Sequence, residues 1–227
     1  MCRMFGYTGA GREDLEMLFE ALKVSAYNDD SSDKIRQHPD GWGYVILSGN
    51  GLFHYRSRSP VYEDSFRVPD IVGKFLAIFH ARKASKNSPV GSQVYSHPFS
   101  HYGGSRVVFL AHNGSLKGQY PGKVDSEVAL EIVSSNDGDL AKAEYELKRR
   151  MKSAINMLVL SFEKEKPLEA TLKYLNFWNR DEGEERFYQM YTAKMPNGNA
   201  VMSSTIAFRL GIDGTAPCKT GITEVLA

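Results

Sequence analysis

The sequence predicts an α+β protein with two mainly antiparallel sheets and a helical layer. Strand-like segments fill the first half, two helical segments fall together near 125–152, and strands return in the last third. A chain of 227 residues, 42% apolar and 24% charged, can bury a substantial core without staples. No repeat, low-complexity tract or linker divides it, so residues 1–227 are read as a single domain.

The elements follow in order. Residues 2–8 are apolar enough for a strand. "REDLEMLFEALKVSAY" sets Leu15, Leu18, Phe19, Leu22 and Ala26 at helical spacing, with Glu13 and Asp14 in the first turn where they suit the helix dipole. "NDDSSDKIRQHPDG" is polar, carries Pro and Gly, and predicts a loop. "GYVIL" and "LFHYR" are strand-like, and Asn50-Gly51 between them signals a hairpin. Further strands are expected over 74–81 and 105–112, separated by a Ser-, Gly- and Pro-rich loop of a length that is usually functional or disordered. Helices are expected over about 125–135 and 139–152, the second ending in Lys148, Arg149 and Arg150 as a solvated face. "INMLVLSF", "EATLKYLNFWN", "RFYQMYTA" and "NAVMSST" read as strands.

Composition narrows the function. A net charge of +1 with dispersed Lys and Arg gives no footprint for nucleic acid. No stretch approaches the roughly 20 apolar residues needed to span a bilayer, and no signal peptide is seen, so a cytoplasmic protein is expected. Cys2 and Cys218 make no disulfide framework. Oligomeric state is not encoded in any pattern visible here.

Polar residues gather at predicted strand ends: Cys2 before the first, Arg82 in "FHARKAS", Asn113-Gly114 in "LAHNGSL", and "HPDGWGY" leading into another. Asp125 opens a helix in "VDSE". Were Met1 removed, Cys2 would carry a thiol and a free α-amine on one Cα. An amine of that kind titrates at about 7.7–8.0, so it can serve as the base that a thiol nucleophile needs. A tetrahedral oxyanion needs donors, which the Asn113 amide and the Gly114 N–H can supply. Arg82 suits a carboxylate by its planar fork, and Asp125 suits an ammonium. Each residue alone has a plainer account. Cys2 fits a small buried hydrophobe, Arg82 a surface ion pair, Asn113-Gly114 a tight turn, Asp125 an N-cap, and Gly41-Trp42-Gly43 a turn with a core aromatic. The combination and its order carry the weight.

An N-terminal Cys followed by "HPDGWG", "HARKAS", "SHPF", "HNGSL" and "VDSE" resembles a class II glutamine amidotransferase domain, of the N-terminal-nucleophile hydrolases, and within it the stand-alone YafJ-like branch. The resemblance implies a four-layer αββα sandwich. It implies Cys2 as nucleophile, activated by its own amine after Met1 removal, and Asn113 with Gly114 as the oxyanion hole. Arg82 would hold the glutamine α-carboxylate and Asp125 the α-ammonium. Ser85 falls where some members carry a substrate-contacting Thr, and Trp42 and Gly43 of "HPDGWG" are assigned to the substrate site with it. His80, His97 and His112 match motif histidines and are expected to be structural hydrogen-bonding groups. Lys83 stands where sugar-aminating relatives carry an aromatic. The implied reaction converts glutamine and water to glutamate and ammonia through a γ-glutamyl thioester, without metal or cofactor. No residues remain for a synthase, so a separate ammonia-accepting protein or water is the acceptor.

Three rivals remain at this point. The substrate would be a γ-glutamyl peptide or conjugate. The chain would be a non-catalytic module binding γ-glutamyl compounds. Or it would be a metal hydrolase using His97 and His101, whose i, i+4 spacing suits ligands only on a helix; Pro98 argues for a loop there, and no H-E-x-x-H or C-x-x-C occurs.

Overall fold

The computed structural model describes residues 2–31, 36–86, 88–179 and 185–226; Met1, on whose removal the expected chemistry depends, lies outside them. The elements begin with β1 (Arg3–Gly9), α1 (Arg12–Tyr27), β2 (Trp42–Ser48), β3 (Gly51–Ser57), β4 (Phe75–Ala81), β5 (Phe99–His101) and β6 (Arg106–Leu116). They continue with α2 (Asp125–Ser135), α3 (Leu140–Arg150), β7 (Met151–Glu163), β8 (Lys166–Leu175), α4 (Glu185–Tyr188), β9 (Met190–Met195), β10 (Gly198–Ser203), α5 (Ser204–Leu210), β11 (Ala216–Pro217) and β12 (Thr223–Val225).

Two antiparallel sheets result, ordered β11-β9-β10-β1-β4-β2-β3 and β12-β8-β7-β6-β5. Successive strand residues point to opposite faces, and β1 shows what that does. Phe5 and Tyr7 join the core under α1 and α5, while Met4 joins Val45, Ile78, Phe109, Leu158 and Val201 between the sheets. On the far side, α2 and α3 pack Val128, Ile132, Leu140 and Leu147 against Leu110, Met157 and Val159 of the second sheet. The layers therefore run helix, sheet, sheet, helix, as the family resemblance implied. Among the described residues no helix is long and apolar enough to cross a membrane.

Several elements depart from expectation. The β2–β3 turn falls on Gly49 and Asn50, because Ser48 pairs with Gly51. The loop after Arg82 contains β5, which pairs with β6. "RFYQMYTA" is not one strand. It opens as α4, whose Tyr188 carbonyl accepts from Asn156 Nδ2 at 2.6 Å, and only then becomes β9. The end of "NAVMSST" turns into α5, whose Ile206 and Ala207 are buried in the core with α1 and which closes on Gly211 at φ 57°. Both misses have one cause: short amphipathic segments do not show whether their apolar residues face a sheet or a helix.

Asn113 and Gly114 are not past a strand end or in a tight turn. They lie within β6, opposite Asn156 and Ile155, and the register shifts between Gly114 and Leu116. The long β7 gives β6 a partner well beyond His112. Gly114 sits at φ 151°, and a Cβ there would lie 1.9 Å from the Ala154 carbonyl oxygen, so only glycine fits this bulge.

Burial between the sheets sets the cost of truncation. Leu158→Ala should destabilise by about 2–5 kcal/mol, whereas Leu168→Ala, at a side chain 86% exposed, should stay within about 0.5 kcal/mol. Urea unfolding of both variants checks the contrast.

Candidate active site

The register brings the candidate residues to one end of the sandwich. Arg3 of β1 pairs with Ala81 of β4, and Trp42 of β2 pairs with the same Ala81. The start of β1, the start of β2 and the end of β4 therefore meet, setting Cys2 beside Arg82 and the segment leading into Trp42. From the second sheet come the bulged end of β6 and the start of β7. A cavity opens there, with about 80 Å³ available to the centres of water molecules. Cys2, Arg82, Lys83, Ser85, Gly114 and Asp125 are among the residues that line it.

Cys2 is buried, and its backbone N–H donates to Asn113 Oδ1 at 2.8 Å. That bond fixes the Asn113 amide, because the oxygen must face Cys2 and the Nδ2 donor is turned elsewhere. The Cys2 thiol points to the Lys83 carbonyl at 3.8 Å. Burial alone would push its pKa up; the neighbouring His80 and the N-terminal charge, aided by the Lys83 carbonyl, outweigh this and lower it to about 6. Cys218, also buried and free, has only burial and Glu224 beside it and is pushed up to about 12.

Arg82 is 5% exposed, and its guanidinium donates to the backbone carbonyls of Pro89 at 2.9 Å and Asp40 at 3.5 Å. Among the described residues no carboxylate neutralises it. Asp125 is the first residue of α2, preceded by the cap position Val124, so it is not the N-cap. Its carboxylate accepts the Leu116 N–H at 3.2 Å and has no cation partner among the described residues. The cavity thus presents a thiol, a cation and an anion. Ser85 shares a hydrogen bond of 2.6 Å with Ser88 on the same rim.

Trp42 and Gly43 stand elsewhere. Trp42 is fully buried among Phe19, Tyr44, Tyr55 and Phe66, with Nε1 donating to Asp64 at 3.0 Å. Gly43 is packed so closely that a Cβ would lie 2.4 Å from the Tyr55 oxygen and 2.5 Å from that of His97. Neither lines the cavity. The part of "HPDGWG" that serves the site is Asp40 and Gly41. Asp40 Oδ2 accepts the Ala84 N–H at 2.8 Å and pairs with Lys83 at 3.4 Å, and the Gly41 carbonyl accepts the Arg82 N–H at 2.8 Å. These bonds shape the segment that presents Arg82.

The histidines differ from one another. His112 bonds Ser126 Oγ at 3.1 Å and the Ala154 carbonyl at 3.2 Å, and His80 Nε2 lies 3.3 Å from the His112 carbonyl. His97 stacks on His80 with ring centroids 4.0 Å apart, and neither of its nitrogens has a partner among the described residues. The hydrogen-bonding role expected of it is not what its geometry shows. His101 is exposed on β5, so it does not share His97's buried setting.

A buried charge network behind Cys2 has no sequence signal. Arg3, fully buried, donates from Nε to Asp29 Oδ2 at 2.6 Å, also to Ser31 Oγ, and to the Phe187 carbonyl at 3.1 Å. His38 Nε2 meets the same Asp29 oxygen at 2.7 Å. Burial opposes ionisation of Asp29, but His38 and Arg3 outweigh it and hold the carboxyl well below the usual range. Burial pushes His38 down to about 4, against the pull of Asp29. Arg next to Cys2 was the available clue. Its partners lie far along the chain, and spacing cannot reveal them.

No protein-family model matches the sequence, and neither does any curated protein. Solved structures do match. The allosteric regulatory enzyme of purine biosynthesis aligns at TM-score 0.65 and 18% identity over 96% of this chain and 44% of that one. Glutamine phosphoribosylpyrophosphate amidotransferase from B. subtilis aligns at TM-score 0.61 and 15% identity, over 96% and 45%. The chain spans less than half the length of either. What it shares with them is the fold, and one of the two is a glutamine amidotransferase by name. The motif resemblance had pointed to that same fold.

The Arg3–Asp29–His38 network makes stability sensitive to acid. His38 is neutral in the fold, while in the unfolded chain it binds a proton as pH falls through 6.5. The folded pKa is depressed, so its contribution is present above 6.5 and is lost as pH falls toward 4. Asp29 adds a loss below about 3.9. Unfolding free energies from urea titrations between pH 7.5 and 4 should drop, by a few kcal/mol in all. His38→Gln, which binds no proton, should flatten the curve above pH 5.

Proposed function

We propose that the chain is a glutamine amidotransferase domain whose Cys2 hydrolyses the γ-amide of glutamine to glutamate and ammonia. One observation carries this reading. The cavity holding the thiol also holds a buried guanidinium without a carboxylate and a helix-opening carboxylate without a cation, among the described residues. That pairing complements the α-carboxylate and α-ammonium of an amino-acid head, and leaving either charge unpaired is costly. Membership of the class II amidotransferases, and of their stand-alone YafJ-like branch, is part of the same proposal.

The chemistry follows from placement. With Met1 removed, Cys2 N becomes an α-amine, and Asn113 Oδ1 holds it beside the thiol. The thiolate attacks the γ-carbonyl carbon. Asn113 Nδ2 and the Gly114 N–H receive the oxyanion, while Arg82 and Asp125 fix the far end of the substrate. The carbon–nitrogen bond breaks, the departing nitrogen takes the proton removed from the thiol and leaves as ammonia, and water hydrolyses the thioester. No metal enters this route. The ammonia goes to water or to a separate accepting protein.

A second reading keeps this chemistry and changes the leaving group. Lys83, paired with Asp40 and 37% exposed at the mouth, puts a cation where a γ-glutamyl peptide or conjugate would extend.

Intact mass before and after a diazoketone analogue of glutamine tests the core claim. The expected result is a chain lacking Met1 with one adduct, localised to Cys2. A chain retaining Met1 and taking no adduct would favour a non-catalytic binding module. Cys2→Ala should abolish hydrolysis and keep the fold. Arg82→Ala should raise KM for glutamine strongly and matter little for an amide lacking the α-carboxylate; equal effects on both would remove its assignment. Asn113→Ala should lower kcat by about 10²–10³, and a change confined to KM would mean a different role.

A further inference from the structure

The proposed route uses the α-amine as base and leaves the histidines beside the thiol without a task. His80 projects from β4 one residue before Ala81, opposite Met4 of β1. Since Cys2 and Met4 lie two apart, they share a face, and His80 stands diagonally across from Cys2 on that face. Both side chains are buried, and of the groups that lower the thiol's pKa this imidazole is the strongest.

The tautomer of His80 is set by its other neighbour. Nε2 lies 3.3 Å from the His112 carbonyl oxygen, which can only accept, so Nε2 carries the hydrogen. Nδ1 then holds the lone pair, and it has no partner among the described residues. In the resting geometry the thiol hydrogen turns to the Lys83 carbonyl instead.

We infer that His80 is an acid–base partner of the Cys2 thiol, taking its proton at Nδ1, with the α-amine left to serve the attack of water. The Sγ–H bond gives its electron pair to sulfur, the Nδ1 lone pair takes the proton, and no other reactant is consumed. When the amide carbon–nitrogen bond breaks, that proton is available to the departing nitrogen, so ammonia leaves neutral. His97, stacked on the ring, closes His80 off from water, and burial together with the nearby His80 holds its own pKa well below 6.5, so it stays neutral. The N-terminal charge also acts on the thiol; Arg82, Arg56 and His112 act on His97, Asp125 acts on His112, and Lys83 is tied to Asp40. The inference rests on Cys2 being the nucleophile, as proposed above.

The test is the pH dependence of Cys2 alkylation by iodoacetamide, read from the mass of the Cys2 peptide without substrate. Wild-type protein should show a midpoint near 6. His80→Gln should move it toward the ordinary thiol value of about 8.5 and slow alkylation at pH 6.5 by about tenfold. An unchanged midpoint in a folded variant overturns the inference. ¹⁵N shifts of the His80 ring in Cys2→Ala, where no thiol can give it a proton, are a second check. Hydrogen on Nε2 alone supports the assignment, and hydrogen on Nδ1 alone overturns it. Low-pH alkylation with no hydrolysis of glutamine would count against the glutaminase reading alone.

Discussion

The hydrogen bond from Cys2 N to Asn113 Oδ1 is the contact on which the rest of the site depends. It joins the first described residue of one sheet to a strand of the other, at the end where the sandwich opens. It fixes which way the Asn113 amide faces. Asn113 reaches Cys2 because β6 runs on past His112 in register with β7, and just beyond it the strand bulges at Gly114, where the Ala154 carbonyl leaves no room for a side chain. The end of one strand therefore brings an amide to Cys2 and a glycine to the cavity wall.

Behind that contact lies an unusual investment in buried charge. Arg3 and Asp29 are both fully buried, and a buried pair of this kind rarely adds net stability over apolar residues of equal size. Its effect is geometric. Arg3 follows Cys2 directly, and its three donor contacts reach Asp29, Ser31 and the Phe187 carbonyl, in segments far apart in sequence. The side chain cannot shift without leaving several polar groups unsatisfied, so the residue next to Cys2 is held firmly. His38, from the same "HPDG" stretch as Asp40, completes the network, and Asp40 braces the Arg82 segment. That short motif serves the site by scaffolding it from two sides.

Much of this was legible in the sequence, for physical reasons that differ by element. The helix over Arg12–Tyr27 showed itself because its apolar residues keep one face over four turns. The strands β1, β4 and β7 did so because burial on both faces leaves near-continuous apolar runs. Cys2, Arg82, Gly114 and Asp125 stand out because their side chains or backbone have little structural reason to occur together, and the fold brings them to one cavity. Trp42, a conspicuous aromatic between two glycines, looks alike as a binding platform or as a core residue, and the fold buries it away from that cavity. The Arg3–Asp29–His38 network and the His80–His97 stack were out of reach. Both depend on pairings between distant segments that leave no periodicity.

The two cysteines show what the fold adds to composition. Both thiols are buried and unpaired with each other, and burial alone pushes each away from the thiolate. Cys218 faces Glu224, whose charge deepens the effect, and it stays a protonated apolar group. Cys2 faces an imidazole, the N-terminal charge and a peptide carbonyl at the end of a cavity, and the balance reverses to give a thiol near 6. The difference does not come from exposure, since both residues are nearly inaccessible. It comes from which polar atoms the register of β1 and β4 brings alongside the sulfur. Reactivity here belongs to the strand pairing as much as to the residue.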